Sequence, residues 1–228
     1  KLSSPRLRKR LASSVKTLRR LLKRNDPVPL GTWIVVGLGN PGPTYASHRH
    51  NIGHLVIDEL ADRAASPLTV ARGMRAETCQ TRVTAAGTGG VGADAPRLLL
   101  VKPRTFMNES GGPVAKLLAY HRSEPAQLIV LHDELDLELG QLRLKFGGGD
   151  NGHNGLRSIR KAIGTGDFYR VRLGIGRPPG RQNPADYVLS NFPVSQRAEL
   201  EVKITRAADA VEVLVRDGLT SAQNRFNS

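Results

Sequence analysis

Apolar residues follow two rhythms along this chain. The apolar runs Ile34–Gly37 (IVVG), Arg97–Val101 (RLLLV) and Leu128–His132 (LIVLH) read as strands. Thr78–Ala85, Gln141–Lys145 and Tyr169–Ile175 are also predicted strands. Helical spacing appears in Asn51–Ala64, where Ile52, Leu55, Val56 and Leu60 share a side, and again in Gly112–His121 and Asn154–Ile163. A last helix is predicted over Val194–Arg216. Ser195 is its expected N-cap, Leu200, Ile204, Ala207, Ala208, Val211 and Leu214 form its apolar face, and Gly218 closes it. Strands interleaved with helices predict an α/β fold, a single domain with a mixed, mainly parallel central sheet flanked by helices. Ala86–Pro96 (AGTGGVGADAP) reads as a loop, and LHDELDLELGQL as the approach to a hairpin at Gln141–Lys145.

The first thirty residues break this pattern. Leu11, Val15, Leu18 and Leu22 recur as on an amphipathic helix, and Asn25–Pro29 (NDPVP) ends the segment as a linker. The division expected is a basic extension over 1–30, amphipathic or disordered, and an α/β domain over 31–228. Residues 1–30 hold ten Lys/Arg against Asp26 alone, so this segment carries +9 of the chain's net +14 and the body only +5. A basic balance of this kind points to a polyanionic partner. No apolar run approaches the roughly 20 residues needed to cross a bilayer, so no membrane is expected. The single cysteine, Cys79, can form no intramolecular disulfide, which suits a reducing, cytoplasmic setting. An organelle matrix is the alternative if the basic segment is a targeting remnant.

The stretch WIVVGLGNPG, Trp33 to Gly42, contains a G-x-G-x-x-G after an apolar run. A dinucleotide-binding turn needs a helix to open inside that motif. Pro41 and Pro43 push Asn40 and Gly42 out of the helical region, and the next helical pattern starts only near Asn51. The glycines serve another purpose, and Asn40 at the tip of the turn is the residue to explain.

Covalent catalysis finds no support, because there is no G-x-S-x-G elbow and Cys79 sits in strand-like TCQTRV. His50 and His54 have the spacing of a zinc helix, with His48 nearby, but no Glu lies between them and Asn51 resembles a helix N-cap. Asp133, Glu134 and Asp136 in HDELD would point to alternate faces of a strand end. No metal and no cofactor is therefore expected. What remains is Asn40, His50 in SHRHN, Asn108 in KPRTFMNESG, Asp133 after LIVLH and Asn154 in GGGDNGHNG. Each has a local reading: a turn for Asn40, helix caps for Asn108 and Asn154, a surface histidine for His50. Together they offer an imidazole with a carboxylate to activate water, and carboxamides to donate to an oxyanion.

At these residues the chain resembles the bacterial-type peptidyl-tRNA hydrolases. GLGNPGPTY, RHNIG, KPRTFMNESG, HDELDL, FGGGDNGHNGLRSI and YRVRLGIGRP carry the resemblance, in order, from about Ile34 to the C-terminus. It implies a monomeric enzyme that cleaves the ester between a peptide and the 3′ ribose of transfer RNA, recycling tRNA during translation. His50 would be the base, Asp133 its orienter, and Asn40, Asn108 and Asn154 would position substrate, water and oxyanion. Tyr45, beside the terminal ribose, and Phe106 would contact the substrate. Lys145 and Arg172 would clamp the 5′ phosphate of the acceptor stem. Gly147–Gly155 would be a mobile gate, with Asp150 adding an unusual negative charge near the entrance. Arg157, Arg160, Lys161, Arg170, Arg172 and Arg177 would add a basic surface. The competing class is a non-catalytic RNA-binding or splicing-type relative on the same fold.

Overall fold

The computed structural model describes residues 31–227; the expected basic extension lies outside them. The chain runs through β1 (Thr32–Gly37), α1 (Ile52–Arg63), β2 (Thr69–Ala71), β3 (Ala76–Thr84), β4 (Gly87–Thr88), β5 (Arg97–Pro103) and α2 (Gly111–His121). It continues through β6 (Leu128–Glu134), β7 (Leu142–Phe146), α3 (Asn154–Ile163), β8 (Tyr169–Gly174), α4 (Pro184–Val188) and α5 (Arg197–Phe226). The sheet order is β2-β3-β5-β1-β6-β8-β7, with β4 paired to β3 outside this path. The four central strands, β5, β1, β6 and β8, are parallel, and the flanking strands are antiparallel.

Alternation along the central strands builds two cores. Trp33 and Val35 of β1 join Ile129 and Leu131 of β6 beneath α1 and α5, while Ile34, Val36, Val130 and Leu128 pack under α2 and α3. Both faces of the central strands are thus covered by helices, which is why their sequences are unbroken apolar runs. The turn after β1 needs glycine for closeness as much as for conformation. A Cβ at Gly37 would overlap the carbonyl of Gly53, and one at Gly53 would stand 2.5 Å from the Leu131 carbonyl oxygen. Gly42, by contrast, has open space but φ of 99°, a region that side chains disfavour. Strand β1, strand β6 and the start of α1 therefore meet backbone to backbone at the ends of the parallel strands.

Several expectations change. The hairpin expected at Gln141–Lys145 is not made with β6: β8 inserts between them, and β7 runs antiparallel to β8. Ala86–Pro96 is not loop throughout, because Gly87–Thr88 forms β4. Ser195 lies in a 3₁₀ turn, Val194–Gln196, and no side chain caps α5. Gly218 does interrupt that helix, with φ 83° and ψ 173°, but helical structure resumes to Phe226. The final turns reach the rim of the sheet. The Gln223 and Asn227 side chains bond the Leu144 carbonyl at 2.8 and 3.2 Å, and the Leu144 N–H donates to Asn227 Oδ1 at 2.6 Å. The edge strand β7 is thereby covered along part of its open side.

Candidate active site

Strand β6 ends in His132, Asp133 and Glu134, and the pleat sends their side chains to alternate faces. Asp133 meets the 3₁₀ turn Arg49–Asn51 that leads into α1. His50 Nδ1 lies 2.8 Å from Asp133 Oδ1, and both side chains are buried. The same oxygen lies 3.0 Å from Nε2 of His153, in the glycine-rich loop before α3. His153 Nδ1 receives the backbone N–H groups of Gly155 and Leu156, so its proton is on Nε2 and is donated to Asp133. Burial would raise the Asp133 pKa, but the two imidazoles and their hydrogen bonds hold the carboxyl well below the usual range. An ionised Asp133 only accepts, so His50 carries its proton on Nδ1 and its lone pair on Nε2. Nε2 accepts no hydrogen bond among the described residues, and the side chain keeps 11 % of its surface exposed. Burial pulls the His50 pKa down, and the charge and hydrogen bond of Asp133 more than reverse this, leaving it raised.

Asn40 stands on the other side of the same turn. Its Oδ1 accepts the Met107 N–H at 2.8 Å, and among the described residues Nδ2 donates to no partner. The Asn40 peptide is gripped by Asn51, whose Oδ1 accepts the Asn40 N–H and whose Nδ2 donates to the Asn40 carbonyl, both at 2.9 Å. Asn51 therefore occupies the N-cap position of α1 without capping it, since its carboxamide is committed to Asn40. Tyr45 is half-buried, edge-on to the exposed ring of Phe106 at 6.2 Å. Asn108 and Asn154 are both exposed, and neither bonds the His50–Asp133 pair. Asn154 Oδ1 accepts from Arg157, and the cap of α3 is His153. The 3₁₀ turn of Asn108 and the start of α3 do meet, because Gly155 admits the Met107 sulfur where a Cβ would stand 2.6 Å away.

Lys145 and Arg172 lie on a separate face, among strands β7 and β8. Arg143 stands opposite Arg172 and Lys145 opposite Arg170, so two like-charge pairs face each other across the ladder. Directly opposed like charges destabilise a sheet unless something offsets them. Arg172 is not a free cation: it donates to Glu134 Oε2 through Nε at 3.0 Å and Nη2 at 2.9 Å. Arg170, expected on the surface, is 1 % exposed and donates to the carbonyls of Gly148 and Gly149. Asn151, at φ 48°, donates to Glu134 Oε1 and Asp136 Oδ2, so the glycine-rich loop is tied to the end of β6. Arg160 holds Asp150 at 2.9 Å, and Arg177 pairs with Asp136. The negative charge expected at the entrance is thus already met by a cation.

Residues 34–228 match the peptidyl-tRNA hydrolase family. The chain belongs to that family. A peptidyl-tRNA hydrolase of Cutibacterium acnes is 57 % identical over 197 residues, covering 86 % of this chain and 98 % of that one. One from Mycolicibacterium smegmatis is 50 % identical over 195 residues, covering 86 % and 97 %. The crystal structure of peptidyl-tRNA hydrolase from Acinetobacter baumannii superposes with a TM-score of 0.75 at 33 % identity, covering 89 % of this chain and 98 % of that one.

In this member of the peptidyl-tRNA hydrolase family His50 bonds Asp133, and Asn40 is joined to the turn that carries His50 through Asn51; two partners in this arrangement, Asn51 and His153, are not signalled by the sequence. Asn51 passes for a cap, and HNG at His153 carries no local signal beyond a histidine next to Asn154. His48 and His54 join no metal-ligating group among the described residues; the group close enough is His50, Asp133 and His153, with ligand atoms within 4.8 Å of one another. The proton on His153 Nε2 makes that nitrogen a donor rather than a ligand, so the trio is arranged for hydrogen bonding. Among the described residues no helix is long and apolar enough to cross a membrane.

Proposed function

We propose that this chain hydrolyses the ester between a peptide and the 3′ ribose of transfer RNA, using water activated at His50 Nε2. The observation that carries the reading is the buried His50–Asp133 hydrogen bond of 2.8 Å, which commits one ring nitrogen and leaves the other as a base. Water loses a proton to Nε2 as its oxygen adds to the ester carbonyl. The Nδ2 of Asn40, its orientation fixed through Met107 and Asn51, donates to the oxyanion that develops. When the intermediate collapses, the ribose 3′ oxygen leaves and takes the proton back from Nε2. Tyr45 and Phe106 receive the substrate end, with Asn108 and Asn154 beside it. Lys145 and Arg172 engage the 5′ phosphate of the acceptor stem. The reading needs no cofactor, a single copy of the chain suffices, and its substrate places it in the cytoplasm with translation.

The basic faces of β7 and β8 suit a partner read by phosphate and A-form shape rather than by base sequence. A turnover assay with a peptidyl-tRNA and the matched aminoacyl-tRNA tests the reading. His50→Ala is expected to lower turnover by about 10²–10⁴, the scale of general-base catalysis, while tRNA affinity changes little. A parental rate in that variant removes His50 from the mechanism. Tight tRNA binding without any turnover in the parent chain favours the non-catalytic class.

A further inference from the structure

Arg49 precedes His50 in the same turn and is 7 % exposed, yet among the described residues no carboxylate pairs with it. Its Nη1 donates to Ser190 Oγ and to the Asn191 carbonyl, both at 2.6 Å, and its backbone N–H donates to the Ser190 carbonyl at 3.0 Å. The guanidinium carbon lies 4.3 Å from the centre of the Tyr187 ring and 5.2 Å from that of Phe192. Nε is buried with no hydrogen-bond partner among the described residues. Burying a cation without a counter-charge is costly, and an apolar side chain would fill this space more cheaply. What arginine alone supplies is a planar fork that bonds oxygen acceptors while stacking on aromatic faces.

The cage is itself anchored to the site. The Tyr187 hydroxyl donates to the Ile175 carbonyl at 2.9 Å, and the Ile175 N–H donates to the carbonyl of Glu134 at 3.1 Å. His48 also bridges to Asn191. A closed path therefore runs from the end of β6 through Ile175, Tyr187 and Arg49 to His50, and returns through Asp133. Asn51 pins the opposite side of the turn to Asn40.

We propose that Arg49 is a positioning residue for the hydrolysis: caged by Tyr187, Phe192 and the Ser190–Asn191 segment, it fixes the turn that aims His50 Nε2. The inference rests on His50 being the base. Lysine keeps the charge but neither stacks nor forks, so Arg49→Lys is expected to lower kcat by about 10–100-fold with KM within about twofold, as for a small misplacement of a reacting group. The His50 ring, followed by NMR, is expected to titrate nearer its ordinary value in that variant, because its bond to Asp133 is no longer held. Tyr187→Phe keeps the ring and should retain much more activity than Tyr187→Leu, which removes it. A folded Arg49→Lys protein with parental kcat and parental His50 titration overturns the proposal. If Arg49→Lys does not fold, equal kcat in the two Tyr187 variants overturns it instead. The NMR titration reads His50 geometry without turnover, so a failure of His50 as base, seen in His50→Ala, is told apart from a failure of Arg49 as its support.

Discussion

The Nε2–H of His153 donates to Asp133 Oδ1 at 3.0 Å while Nδ1 of the same ring caps α3 through Gly155 and Leu156. One imidazole thus joins the carboxylate behind His50 to the helix that follows the glycine-rich loop.

Two substitutions separate these roles. His153→Ala removes both, and is expected to cost about 1 kcal/mol of stability for the missing cap. It should also slow turnover about 10–100-fold, since a hydrogen bond to a charged group is worth about 1.5–3 kcal/mol. His153→Asn restores a good capping acceptor but is too short to reach Asp133. Denaturant unfolding should recover the share of stability due to the cap in that variant while kcat stays low. Recovery of kcat along with stability would mean that the Asp133 hydrogen bond plays no part.

In the proposed mechanism the neutral form of His50 is the active one, and a pH dependence follows. Its pKa is raised because the Asp133 charge and hydrogen bond outweigh the effect of burial, so kcat/KM should fall with acidification through a value above the ordinary 6.5. Asp133→Asn removes the charge and is expected to move this limb to lower pH as well as lowering the plateau. The stability effect has the opposite sense. A histidine with a raised folded pKa stabilises fully below its unfolded value, and that stability is lost as pH rises through the folded one. The pair therefore stabilises the fold most where it is least active. A limb unmoved in Asp133→Asn would sever the assigned link between the two residues.

His54 gives a separate acid response. Burial, and secondarily the nearby Lys102, lowers its pKa to about 3, and its ring lies 2.6 Å from where a Gly39 Cβ would be. The unfolded chain takes up a proton near pH 6.5 that the folded chain refuses, so stability is lost between about 6.5 and 3. The slope from one such group is about 1.4 kcal/mol per pH unit. His54→Met should flatten the fall in unfolding free energy over that window. It should not abolish it, because burial and the neighbouring His153 also hold the buried His132 well below its ordinary pKa. An unchanged slope would show that His54 accepts its proton without unfolding.

Much of this was legible because local chemistry and tertiary structure agree. Unbroken runs such as LIVLH mark strands covered on both faces, and Asn154–Ile163 has the same bounds in sequence and structure. Asn40, His50 and Asp133 stand out as candidates in the sequence because each follows an apolar run at a strand end or stands in a polar turn beside one. The parts that escaped depend on partners far away in the chain. Asn51 looks like a cap because caps favour asparagine, yet an oxygen eleven residues back competes for its amide. Arg170 looks like surface charge, but the carbonyls of Gly148 and Gly149 solvate it inside the fold. The hairpin expected before Gln141–Lys145 failed because nothing local reveals that a later strand, Tyr169–Gly174, inserts between β6 and β7.

Lys145 and Arg172 should prove unequal members of one clamp. Burial lowers the Lys145 pKa, Arg172 and Arg170 lower it further, and Glu134 only partly offsets them, so its amine lacks full negative charge beside it. An added phosphate supplies that charge, and Lys145→Ala should raise KM for full-length peptidyl-tRNA without slowing a short peptidyl-nucleotide ester that lacks the 5′ phosphate. Its log–log salt dependence should become shallower by about 0.7–0.9 for each phosphate no longer engaged. Arg172 differs because Glu134 already holds two of its nitrogens, and the other oxygen of Glu134 holds Asn151 in the glycine-rich loop. Arg172→Ala leaves Glu134, 5 % exposed, without its cation and perturbs the loop next to His153. It should therefore impair the short ester as well as the full substrate. Adding Glu134→Gln to Arg172→Ala, which removes the unpaired charge but keeps an acceptor for Asn151, should restore the short ester alone. Equal behaviour of Lys145→Ala and Arg172→Ala on both substrates would show that Glu134 does not link phosphate binding to the loop.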